Sequence, residues 1–185
     1  MGADDMTEMQ HPGLAARDAR RRGDVGVLVS YLTSTDRIAR LAAAQELGEL
    51  RSREGLPHLI RCLRAADDGL KISALKAIGK IGDLGAASQV HELATSDEEP
   101  FGVRSTAAET LGRLGDRRGV TILAELLGAP DNPYPHSYRK WMIKQLVSLE
   151  GTEAIPILEV AGRTEGFRGR IQLRVAIRRL GRLLR

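Results

Sequence analysis

The chain has 185 residues, 28 basic and 24 acidic, with a formal charge of +4 at pH 7. That length suits one domain with an ordinary core, and 42% apolar but only 3% aromatic residues make the core aliphatic. A single cysteine, Cys62, excludes an intrachain disulfide framework and favours a reducing compartment. No uncharged apolar run approaches the ~18 residues of a membrane span. The acidic start, MGADDMTEMQ, is unlike a secretory signal, so the expected location is cytoplasmic. Residues 1–10 are expected to be disordered and residues 11–185 to form a single domain.

Charge is uneven along the chain. Residues 1–135 carry 17 basic and 20 acidic side chains, whereas residues 136–185 carry 11 basic and 4 acidic. Of the basic residues 23 are Arg and 5 are Lys. A GC-rich coding sequence explains that bias as readily as nucleic-acid binding does.

The chain opens on a short stripe of Ala15, Ala16 and Ala19 among Arg17, Arg20, Arg21 and Arg22, as the polar-faced cap of a repeat array should. Two helical periodicities then interleave to the end. One sets apolar residues at i, i+1, i+4 and i+7: Ala43/Ala44/Leu47/Leu50, then sets starting at Ala74, Ala107, Met142 and Ala176, spaced by 31, 33, 35 and 34 residues. The other sets them at i, i+3, i+4 and i+7: Val25/Leu28/Val29/Leu32, then sets starting at Leu56, Ala86, Val120 and Ala154, with Gln89 the polar exception. Two helical faces sharing one offset of about 33 residues describe stacked helical hairpins. Glycines end the first helices (Gly48, Gly82, Gly112, Gly115, Gly181), to relieve left-handed C-caps or let a neighbour approach closely. Ser34-Thr35-Asp36, Ala66-Asp67-Asp68, Ser96-Asp97-Glu98-Glu99 and Pro130-Asp131-Asn132 read as caps and turns between hairpins. Nothing alternates at period 2 over a strand length. The predicted fold is an all-α, right-handed α-solenoid of about five to six hairpins.

The unit is clearest at Val103-Arg104, Ala107-Ala108, Leu111-Gly112-Arg113-Leu114-Gly115-Asp116, Val120, Leu123 and Leu126-Leu127. It resembles a HEAT repeat, of the short variety also found in phycobilisome-lyase-type proteins, over residues 24 to 185. The fifth unit departs from it, with Val147 where the others have glycine. The resemblance implies the solenoid fold and leaves the function open, since such repeats serve as scaffolds, adaptors, inhibitors, lyase subunits and DNA-lesion readers.

Positions not needed for the core fall on the second helices, expected to line the concave face. They include Tyr31, His58, Arg61, Cys62, His91, Glu92, Ile122, Glu125, Leu126 and Val160. Their mixed polarity suits a protein or peptide better than a phosphate backbone; a plain solvated face is the competing reading. Arg40, Lys71, Arg104 and Arg139 recur at one position in four units. They read as a cationic stripe or, preferably, as an internal ladder paired with loop acids such as Asp83 or Asp116. The irregular Pro/Tyr loop 129–137, with Tyr134 and the nearby Tyr138 and Trp141, is a candidate recognition loop. Trp141 itself reads rather as packing. The Arg-rich terminal helix, 168–185, packs one face and solvates the other, or else docks on another chain through an open apolar edge.

Catalytic constellations are thin. His11, His58, His91 and His136 fall on different units, and His58 with Cys62 gives two metal ligands where a site needs more. No catalytic residue, cofactor or metal is expected. The reading is a non-catalytic interaction module that binds a protein or peptide on the concave helix face and the Pro/Tyr loop. The first alternative is nucleic-acid binding by the basic C-terminal third, through Arg139, Lys140, Arg168, Arg170, Arg174 and Arg178. The second, from the resemblance, is a lyase-like or cofactor-handling role dependent on Cys62 or His58.

Overall fold

The computed structural model describes residues 11–128, 136–149, 152, 154–163 and 170–182. They form eleven α-helices and a 3-10 turn, with no strand among the described residues. The all-α fold and both helical periodicities are therefore as expected. The chain divides into two compact units, Met1–Ile81 and Gly82–Arg185.

The first unit contains α1 (Pro12–Arg22), α2 (Val25–Tyr31), α3 (Arg37–Glu49), α4 (Leu56–Cys62) and α5 (Asp68–Ile81). Helix α3 packs against both α1 and α5, α2 packs on α1 and α3, and α4 lies on α5. The predicted core positions are the buried ones: Ala43, Ala44 and Leu47 of α3, Ala74, Leu75 and Ile78 of α5, and Leu28 and Leu59 of the second helices. Alanine on the first helices lets their axes come close. The extreme is Gly48, where a Cβ would stand 2.7 Å from Ala77 Cα. Polar ties flank this core: Glu46, only 9% exposed, pairs with Arg17 and Arg20 of α1. The Lys80 ammonium donates to Glu49 at 2.6 Å and holds that carboxyl below its usual range.

The second unit begins with a 3-10 turn (Leu84–Ala86) and contains α6 (Ala87–Thr95), α7 (Phe101–Arg113), α8 (Arg118–Gly128), α9 (His136–Ser148), α10 (Ala154–Arg163) and α11 (Arg170–Leu180). Helix α8 touches α6, α7, α9 and α10, and α11 packs on α9 and α10. Ala107, Ala108 and Leu111 of α7, Leu123 and Leu127 of α8, and Met142 and Leu146 of α9 are buried together with Leu158 of α10. Burying each leucine stabilises by about 1.5–3 kcal/mol relative to exposure.

Four turns from a first to a second helix share one device. A residue with positive φ ends the first helix, at Gly23, Arg51, Gly82 and Gly115. The next residue caps the following segment: Asp24 accepts from Val27 N, Ser52 from Gly55 N, Asp83 from Gly85 N, and Asp116 from Arg118 N. The chain closes these turns with Schellman-type bonds, such as Ser52 N to Leu47 O and Asp116 N to Leu111 O. Arg51 is the one non-glycine with positive φ among the described residues, at φ 49°. Because a Cβ in this region costs about 1 kcal/mol, Arg51→Gly is expected to stabilise the protein by up to ~1 kcal/mol, less any entropy gained by the unfolded chain. A rise in the urea midpoint at constant m-value would show it; a fall would mean that the Arg51 side chain holds more than its backbone costs.

Candidate cleft on the second helices

Asp83 and Asp116, the acids named for the ladder, cap helical turns, and the acids found beside Lys71 and Arg104 are Asp68 and Asp97. Arg40, Lys71 and Arg104 meet the loops between hairpins. Arg40 Nη1 donates to Ser34 O at 2.8 Å and Thr35 O at 3.0 Å, with Asp67 3.7 Å from its Nη2. Lys71 lies 3.8 Å from Asp68, and Arg104 lies 3.3 Å from Asp97. The loop acids therefore come from the turn beside each first helix. Asp116 is held below its usual range first by the Arg118 guanidinium, with His91 adding to the same effect.

In the first unit the second helices border an open cleft of about 360 Å³. Its floor is aliphatic: Val29 and Leu32 from α2 and its end, Cys62 and Ala65 from α4 and the turn beyond, and Leu70 from α5. Thr33, His58 and Arg61 supply the polar edge. Helices α2 and α4 have seven residues each, so both end beside the cleft and the small Thr33 and Ala65 leave space there. Arg61 Nη2 stands 2.6 Å from His58 Nδ1. A guanidinium can only donate, so Nδ1 accepts and the ring proton sits on Nε2. Burial pushes the Cys62 thiol up, with Arg61 opposing, and the thiol is protonated at neutral pH. This makes Cys62 a wall of the cleft and a poor nucleophile. Among the described residues no group of three or more His, Cys, Asp or Glu is placed to hold a metal ion.

The expected partner-binding residues are thus dispersed. His58 and Arg61 share the cleft, while Tyr31, half-buried on α2, does not line it. His91 and Glu92 lie on α6, and Ile122 and Glu125 on α8, in the second unit. Leu126, expected to face outward, is 7% exposed and belongs to the core, because α8 is covered on more than one side. Val160 is 68% exposed, as expected. Tyr134 and the side chain of Tyr138 lie outside the described residues, as does loop 129–135. Trp141 is half-buried; with the Gln145 side-chain amide assigned so that both of its groups are satisfied, the indole donates to the Gln145 side-chain oxygen at 3.1 Å and the Gln145 side-chain nitrogen donates to Glu109 at 2.7 Å. That network ties α9 to α7.

The terminal helix α11 buries Ala176 and Leu180 and exposes Arg174, Arg178, Arg179 and Arg182. Arg139 is half-buried and Lys140 exposed, whereas Arg168 and the side chain of Arg170 lie outside the described residues. No described helix is long and apolar enough to cross a membrane. The walls missed from sequence were Val29, Leu32, Ala65 and Leu70. Val29 and Leu32 read as ordinary core positions, and only their ending beside two small turn residues opens the space.

Paired helices, a shared 33-residue register and a common turn device define a helical-repeat protein of the α-solenoid class. Models of two repeat types match the sequence: HEAT repeats over residues 64–137 and PBS lyase HEAT-like repeats over residues 39–65. Residues 39–137 are thus HEAT repeats, those of residues 39–65 being of the PBS-lyase type. A curated relative, the phycocyanin alpha phycocyanobilin lyase CpcF of Synechocystis sp., is 30% identical over 99 residues, covering 53% of this chain and 45% of that protein. The chain thus matches less than half the length of that relative. The fold is also similar to an engineered protein solved by the Northeast Structural Genomics Consortium, at TM-score 0.55 and 22% identity over 94% of this chain and 85% of the other. A designed armadillo repeat protein is similar at TM-score 0.51 and 15% identity, over 91% and 87% of the two chains.

Proposed function

We propose that the chain is a non-catalytic interaction module that binds a protein or peptide partner, with the first-unit cleft as its principal contact. The observation that carries this reading is the open 360 Å³ cleft with an aliphatic floor and a polar edge of His58 and Arg61. Preformed helices lose little conformational entropy when a partner docks. The protonated, buried thiol and the dispersal of the histidines favour binding over covalent chemistry. The test is capture from a host lysate with wild type and with Ala65→Phe, which fills the cleft, each with and without nuclease. A protein retained by the wild type in both treatments and lost by Ala65→Phe supports the reading. Retention that Ala65→Phe leaves unchanged overturns the cleft as the contact. Retention that nuclease removes moves the function to the exposed arginines of α11.

A second reading, participation in a lyase, is favoured by the CpcF relative. HEAT-like repeats could there position a substrate protein. His58→Ala and Cys62→Ala would separate the two, since a lyase role loses activity on a chromophore-bearing protein while the module reading predicts none to lose.

A further inference from the structure

The polar groups of the cleft select its occupant by charge. Arg61 is exposed at the edge and donates one N–H to His58 Nδ1, leaving other guanidinium N–H groups and the His58 Nε2–H as donors. The Thr33 hydroxyl already donates to Ser30 O at 3.0 Å. No carboxylate lines the cleft. The two acids in the turn between Ala65 and Leu70 are engaged elsewhere. Asp67 accepts two bonds from Arg37, at 2.8 and 3.2 Å, and others from the N–H groups of Gly69 and Leu70; Asp68 lies beside Lys71. The Arg37 guanidinium holds the Asp67 carboxyl below its usual range, so that acid is ionised and already paired.

The cleft therefore combines an aliphatic floor with a cationic edge, on which Arg61 and His58 supply free donors and the Thr33 hydroxyl oxygen is left as an acceptor. Resting on the interaction reading above, we infer that its occupant is an acidic peptide segment in which an aliphatic side chain is followed closely by a carboxylate. The aliphatic group enters among Val29, Leu32 and Leu70, and the carboxylate meets Arg61. A basic segment would set like charges together at Arg61, and a purely apolar one would cover the guanidinium without pairing it. The volume lies at the small end of ligand pockets, roughly 300–1,000 Å³, which suits one or two side chains.

The test is panning a random heptapeptide phage library on the full chain, wild type and Arg61→Glu, followed by anisotropy titration of an enriched peptide and its Glu-to-Gln analogue. Peptides pairing Leu, Ile or Val with Asp or Glu are expected. The Gln analogue and Arg61→Glu should each weaken binding about tenfold, the worth of one hydrogen bond to a charged partner, and Arg61→Lys should restore part of it. Arg61 is exposed, so thermal melting of the variants should match wild type. Enrichment of basic or carboxylate-free peptides, no enrichment, or affinity indifferent to Arg61→Glu overturns the inference. If such an outcome comes with Ala65→Phe still abolishing partner capture, the interaction reading stands and only the acidic specificity falls. If Ala65→Phe leaves capture unchanged, both fall.

Discussion

Gly119→Ala is expected to destabilise the protein by about 3 kcal/mol, toward the upper end for overpacking a close contact. Gly119, the second residue of α8, is buried against α7. A methyl there would collide with Ala108 O and stand 2.6 Å from both Gly112 N and Leu111 Cβ. Two of those three atoms are backbone, so relief requires α7 and α8 to move apart, opening the packing around Leu111 and Leu123. Gly85 occupies the same place in its repeat, one residue before the first core position, but a Cβ there meets only the capping Asp83 Oδ1 at 3.1 Å. Gly85→Ala should lie within about 0.5 kcal/mol of wild type. Urea denaturation of both variants decides it. Equal midpoints would mean that α7 and α8 are not in backbone contact.

Leu47→Ala is the second large effect, with an expected loss of about 3 kcal/mol. Leu47 is fully buried in α3, and its methyls occupy the space beside Gly55, the third glycine in this register. A Cβ on Gly55 would stand 2.8 Å from Leu47 Cδ2, the movable end of a side chain. Gly55→Ala alone should therefore cost about 1 kcal/mol. In the Leu47→Ala background it should cost far less, because the added methyl enters the vacated volume. A coupling of about 1 kcal/mol in the double-mutant cycle is the expected signature. Strict additivity would show that the two residues do not share that space.

Much of the fold was legible because it is periodic. The apolar sets starting at Ala43, Ala74, Ala107 and Met142 name buried helix faces, since a helix turning every 3.6 residues brings those positions to one side whatever it packs on. Turn chemistry was legible for a similar reason: positive φ at Gly82 and Gly115 is a local demand. The repeat offset carried the family with it.

The candidate site was legible only in part, because it depends on distances between segments. His58 and Arg61 were identifiable as outward positions on a second helix. Their joint donor edge needed the 2.6 Å approach of one side chain to the other. Leu126 had the spacing of an exposed residue yet is buried, because a helix in mid-stack is covered on more than one face. Asp83 and Asp116 read as ladder acids for the recurrent cations, and backbone geometry made them caps.

The three glycines show where the division falls. Sequence alone places Gly55, Gly85 and Gly119 in one register at the start of a second helix. Tertiary structure alone makes one face a leucine methyl, one little but its own capping carboxylate, and one the backbone of α7. Periodicity and turn preference are properties of consecutive residues, so the chain determines them by itself. The space left beside a Cβ, or between two short helices, is set by whatever packs against it, and that is decided when the repeats stack.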